Sequence, residues 1–211
     1  MATRGSLLGR ARPKTFTHIV RRSPRDRRAD TLTLHTTEGA NRPGVSDLEG
    51  LANFFEGVQA DATWGVDAEG NKCRMKEDGD SAWTNGFHDW NHRAFTIEQV
   101  GFAATKKRDW VRGYHNGLRT VAGIAADYKQ RGFIKLKACG DSPGGINQHV
   151  DISGPGGHTD CGPGYPQRYV TMWARWVYHR RLGHTVRAAP YGAFVRGVQL
   201  RHGLKPNLNW R

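Results

Sequence analysis

The chain has 211 residues, 37% of them apolar and 24% charged, with seven tryptophans, which suffices for one full hydrophobic core and argues against a disordered chain. No stretch approaches the roughly 20 apolar residues of a membrane-spanning helix, and Met1 to Lys14 lacks an apolar run of signal-peptide length, so no export signal is expected and synthesis in the cytoplasm fits. A formal charge of +13 points to a polyanionic partner or surface, for which nucleic acid and the anionic bacterial wall both qualify, while three widely spaced cysteines argue against a disulfide framework and a four-cysteine zinc site.

Residues 1–14 read as a basic tail, 15–182 as one catalytic domain and 183–211 as a basic C-terminal extension. Thr15 to Val20 is β-branched enough for a short strand, and the Arg/Pro/Asp run at 21–30 is a loop. Thr31-Leu32-Thr33-Leu34 alternates with a period of two and delivers His35 where strand gives way to loop. Ser46-Asp47-Leu48-Glu49 has the form of a capping box opening a helix whose apolar face is Leu48, Leu51, Phe54 and Phe55. Residues 62–67 and 72–75 flank the turn Ala68-Glu69-Gly70-Asn71 as a hairpin.

Phe95 to Val100 is a further strand with an acid, Glu98, inside a hydrophobic run. From Lys107 to Arg131 apolar residues recur at three and four, which predicts one long helix ended by Gly132. Residues 140–166 are too rich in Gly and Pro for regular structure, and Tyr169, Met172, Trp173, Trp176 and Val177 mark a last helix. Alternation of strands and helices predicts an α/β fold, a central mixed, mostly parallel sheet flanked by helices.

A long structureless segment inside a compact domain is usually functional, and this one carries His149, Asp151, His158 and Asp160. A catalytic zinc wants three imidazole, carboxylate or thiolate ligands and one open position. His149 with Asp160 or Cys161 supplies two ligands from one loop, and His35 supplies a third from across the sheet. Asp151 is placed to accept the second imidazole proton of a neighbouring histidine.

These residues resemble the type 2 N-acetylmuramoyl-L-alanine amidases, zinc enzymes of phage endolysins and bacterial walls related to peptidoglycan-recognition proteins. The match rests on His149-Val150-Asp151-Ile152-Ser153 and His158-Thr159-Asp160-Cys161-Gly162-Pro163, which look like the family's second- and third-ligand segments. It continues upstream in Leu32 to Gly39, Trp64 to Gly70, Ser81-Ala82-Trp83-Thr84-Asn85-Gly86 and Asn91 to Gly101, so five motifs in order cover roughly residues 30 to 166. Three positions depart from the pattern: Trp64 replaces a tyrosine, His158 replaces a lysine, and Cys161 stands where proline is usual beside an aspartate ligand. The register favours Asp160, with Cys161 the competitor one residue along.

The resemblance implies hydrolysis of the amide between N-acetylmuramic acid and L-alanine in peptidoglycan, with Zn2+ held by His35, His149 and Asp160. Glu98 is expected to handle the proton of the attacking water and His158 to donate to the oxyanion. Trp64, Trp83, Thr84 and Asn85 are expected to line the substrate groove. An endolysin acting on the wall after release from the infected bacterium is the expected context, with anionic wall polymers as further partners; a binding module of the same fold without catalysis and a cytoplasmic wall-recycling amidase are the alternatives. A nucleic-acid partner is not expected, since no recognition helix, zinc-finger spacing or aromatic sheet motif accompanies the charge.

Overall fold

The computed structural model describes residues 13–42, 44–152 and 158–184. The expected basic tail and C-terminal extension lie almost wholly outside the described residues. Six strands form one sheet in the order β1-β4-β3-β5-β2-β6. They are β1 (Thr15–Thr17), β2 (Thr31–Thr36), β3 (Trp64–Val66), β4 (Lys72–Arg74), β5 (Ala94–Gln99) and β6 (Ile146–Gln148). Only the β3–β4 hairpin is antiparallel; the other neighbours run parallel. The mixed, mostly parallel sheet is the one expected.

Helices cover the two faces unequally. On one face α4 (His115–Gln130) and α6 (Gln167–Arg181) pack together. Leu32 and Leu34 of β2, Val66 of β3 and Phe95 and Ile97 of β5 join Trp110, Leu118, Val121, Tyr169 and Trp173 in one buried cluster there. On the other face α1 (Ser46–Glu56) packs on β3 and β4, where Leu48, Ala52 and Phe55 meet Cys73 and Met75. A Cβ on Gly65 would lie 2.8 Å from the Met75 methyl and 3.1 Å from Leu48, so the close approach of α1 to β3 requires glycine. The row Gly65–Glu98–His35 crosses this face, and its second half, on β5 and β2, lies beyond α1.

Several expectations change. The strand at 15–20 shortens to Thr15–Thr17, paired in parallel with β4. The capping box does not form: Val45 is the N-cap, its carbonyl accepting from both Leu48 and Glu49, and no side chain caps the helix. Phe54 is 59% exposed, while Leu48, Ala52 and Phe55 are buried and Leu51 packs beside them.

The long helix divides at Tyr114 (φ −113°, ψ 20°) into α3 (Lys107–Gly113) and α4. Gly117 is held against the chain at Asp67 and Ala68, donating its amide to the Ala68 carbonyl at 3.2 Å, so α4 must start where α3 does not point. Both helices bury their apolar residues in the same cluster, which is why the periodicity runs unbroken across the division. Within 140–166, expected to be irregular, Ile146–Gln148 completes the sheet as β6 and His149–Ile152 forms the short helix α5. A further helix, α2 (His88–Arg93), not foreseen in the sequence, runs directly into β5.

A candidate metal centre at the strand ends

Parallel strands bring their carboxyl ends to one edge, where crossovers leave room for ligands. Here the register Leu34↔Gln148 between β2 and β6 sets His149 beside His35, and His35↔Glu98 between β2 and β5 sets the acid on the other side. The two imidazoles lie 4.3 Å apart, centroid to centroid. Asp160 reaches both: its Oδ2 is 3.2 Å from His35 Nδ1 and its Oδ1 3.1 Å from His149 Nδ1.

The ligand atoms of His35, His149 and Asp160 all lie within 4.8 Å of one another. Ligands on a tetrahedral ion with bonds of about 2.0–2.1 Å stand roughly 3.3 Å apart, so this donor set suits zinc. The three residues therefore make a candidate metal site. His35 Nε2 is 3.1 Å from the Asn85 side-chain oxygen, where the ring would donate its proton once a metal took Nδ1.

Ionisation agrees with this arrangement. Burial works against the Asp160 carboxylate, yet hydrogen bonds from His149 and His35 hold its carboxyl well below the usual range. Burial lowers His149 despite its contact with Asp160, keeping the ring neutral as ligation demands. Glu98 behaves oppositely: burial, and then the charges of Asp160 and Glu38, push its carboxyl up to about 8. Its Oε1 is 3.9 Å from His35 Nδ1, and its Oε2 is buried with no hydrogen-bond partner among the described residues. A buried orphan oxygen beside the donor set is what a site waiting for a polar guest presents.

Cys161 is turned the other way. Fully buried, it belongs to the main hydrophobic cluster with Trp110 and Tyr165, and burial drives its thiol well above the ordinary range. The choice between neighbours thus falls to side-chain direction, and Asp160 is the one brought to the histidines. His158 is exposed, its ring stacked on His149 at 4.0 Å and 24°. Among the described residues Asp151 holds no imidazole; its carboxylate accepts the Gln148 amide at 3.1 Å, at the start of α5.

The expected groove residues separate. Trp64 lies on the opposite face, its indole donating to Tyr128 at 2.9 Å and capped by Lys72 and Arg74. It is one residue out of register with Glu98, which places it with the helices rather than the site. Trp64→Phe is accordingly expected to cost about 1 kcal/mol of stability and to leave KM unchanged, as thermal melting and steady-state kinetics would read.

Asn85, fully buried, supports His35 rather than facing solvent. Its amide donates to the Asn91 side chain at 2.9 Å and its own side chain donates to the Trp90 carbonyl at 3.2 Å. Trp83 is 45% exposed, its amide held by Asp61 at 2.8 Å, and Thr84 next to it keeps a buried hydroxyl with no partner among the described residues.

No protein-family model matches the sequence, and no curated protein matches it. Solved structures do. The hydrolase AmiA of Staphylococcus aureus, solved with its ligand, superimposes with a TM-score of 0.61 at 16% identity, over 82% of this chain and 85% of that one. PlyL does so with a TM-score of 0.52 at 12% identity, over 93% and 99%. A mutant endolysin from Bacillus subtilis gives 0.52 at 11%, over 79% and 99%. The chain has the type 2 amidase fold.

Within this amidase fold, Asn91 and Glu38 lie in the segments Asn91 to Gly101 and Leu32 to Gly39, but no role was expected of either. Asn91 holds the Asn85 amide, and Glu38 accepts from the Thr36 hydroxyl and the Ala103 amide while raising Glu98. Their membership of those segments was the available signal; the helix α2 that turns Asn91 inward was not foreseen.

Proposed function

We propose that the protein is a zinc-dependent hydrolase of the amide between N-acetylmuramic acid and L-alanine in bacterial peptidoglycan, acting as a phage endolysin. The observation that carries this reading is the convergence of His35, His149 and Asp160 with Glu98 beside them at the strand ends of an amidase fold. Zinc held by the three residues supplies Lewis acidity toward a carbonyl oxygen and acidifies water.

The chain's own groups do the rest. Glu98, buried and able to hold a proton near neutral pH, takes the proton of the attacking water at its carboxylate and returns it to the departing L-alanine nitrogen. His158, stacked over His149 at the exposed side, donates a hydrogen bond to the oxyanion as charge develops. Asn85 keeps the His35 ring in one tautomer and one orientation. Trp83 and Thr84 line the rim against glycan or stem peptide. The net charge of +13 draws the enzyme to phosphate- and carboxylate-bearing wall polymers.

Digestion of purified sacculi, with the new ends read by mass, tests the proposal. Release of stem peptides with free L-alanine amines and of lactyl-terminated glycans is expected; their absence in the presence of zinc sinks it. Asn85→Ala should weaken zinc affinity by about 10–100-fold, the usual effect of losing a ligand's hydrogen-bonded support, which a competitive chelator titration measures. Unchanged affinity would remove Asn85 from the site.

A further inference from the structure

A second set of metal-ligating side chains lies outside the site at the strand ends. His88 and His92 stand four residues apart on α2, one helical turn, with their rings stacked at 4.1 Å and 24°. Asp26, from the segment that precedes β2, reaches both: its Oδ1 is 3.0 Å from His92 Nδ1 and its Oδ2 is 4.0 Å from His88 Nε2. One ligand atom from each residue falls within a group no wider than 4.8 Å. The donor set, two imidazoles and a carboxylate, repeats that of the buried site, and the spacing of 3.0 Å between Asp26 and His92 is close to the 3.1 and 3.2 Å around Asp160.

We infer that Asp26, His88 and His92 form a second, surface site for a divalent transition-metal ion of the zinc class. Imidazole nitrogens select such ions over magnesium or calcium, which prefer all-oxygen shells. Two groups compete for the same atoms: the Asp26 amide lies 3.0 Å from His92 Nδ1, and Arg27 Nε lies 3.2 Å from Asp26 Oδ1. Arg27 also pairs with Asp89 on α2, so the guanidinium has another carboxylate to hold when the cation takes Asp26. His92 is nearly buried whereas the His88 side chain is 67% exposed. Competition and exposure make this the weaker of the two sites.

The ion would tie the 21–30 segment to α2. That helix also carries Asn91, whose side chain holds Asn85, so the clamp acts on the same short segment that supports His35. Its effect is to stabilise this corner of the fold whenever metal is present, by ordinary linkage.

Zinc titration of the full chain, first stripped with chelator, tests the inference by calorimetry and equilibrium dialysis. His88→Gln is expected to bind one equivalent fewer than wild type, to lose part of the zinc-dependent rise in Tm, and to keep its turnover. Arg27→Ala is expected to tighten the weaker equivalent several-fold, whereas His179→Gln, altering another exposed histidine, leaves the count unchanged. If His88→Gln binds as many equivalents as wild type, or if wild type binds only the one that His35→Ala removes, the surface site does not exist. Either result leaves the reading of the buried site standing, and loss of the buried equivalent alone would leave the surface site standing.

Discussion

Glu98→Gln is expected to lower turnover on peptidoglycan by about 10²–10⁴-fold, the range associated with losing a positioned acid–base group, with bound zinc unchanged. The amide side chain fills the same space beside His35 but neither takes nor returns a proton. Near-normal turnover with zinc still bound would remove Glu98 from the chemistry. Zinc loss in the variant would instead make Glu98 part of the metal's own shell.

The same substitution has a pH signature in chelator-treated protein. Glu98 titrates in the fold at about 8, above its ordinary 4.5. For an acid so raised, the protonated form is the one the fold prefers. Its contribution is fully present below about 4.5 and is lost as pH rises through about 8. The amide of the Glu98→Gln variant never ionises, so its Tm should gain on wild type as pH goes from 5 to 9. A difference constant across that range would mean that the carboxyl is not buried as described.

Asp160→Ala and Cys161→Ala should diverge although the residues are adjacent. Removing the Asp160 carboxylate takes away the group that touches both imidazoles and leaves His35 and His149 facing each other across a buried gap. Zinc affinity should fall by more than the roughly 10–100-fold that a lost supporting contact costs, and amide hydrolysis with it. Cys161→Ala removes a sulfur from the hydrophobic cluster and should cost about 1–2 kcal/mol of stability with the zinc content unchanged. Metal analysis and thermal melting of the two variants decide the matter. Retention of zinc by Asp160→Ala with its loss from Cys161→Ala would put the third ligand one residue further on.

Much of the scaffold was legible because it depends on local pattern. The period-two run at 31–34 placed His35 near the end of β2, the turn at 68–71 placed the β3–β4 hairpin, and β5 carries its acid among buried residues. The order of motifs along the chain was enough to name His35, His149, Asp160 and Glu98 as members of one site, since each belongs to a segment with its own signature.

What the chain could not disclose depends on contacts distant in sequence. Periodicity passes unbroken through Tyr114 because α3 and α4 face one core, and only the approach of Gly117 to Asp67 divides them. Ile146–Gln148 is a strand because β2 offers it an edge, not because its Gly-rich surroundings favour one. Trp64 and Asn85 changed roles for a similar reason: the face a strand residue takes, and the partner a loop amide finds, are set by register and packing.

The candidate donor set was thus legible in the sequence as a list of residues, with Cys161 an alternative to Asp160. Tertiary structure decided its geometry, turning Asp160 toward two imidazoles and Cys161 into the core. Neighbours on a chain share composition and motif, but burial separates them, since apolar contact favours the thiol inside while hydrogen bonds from two histidines keep the carboxylate at the site.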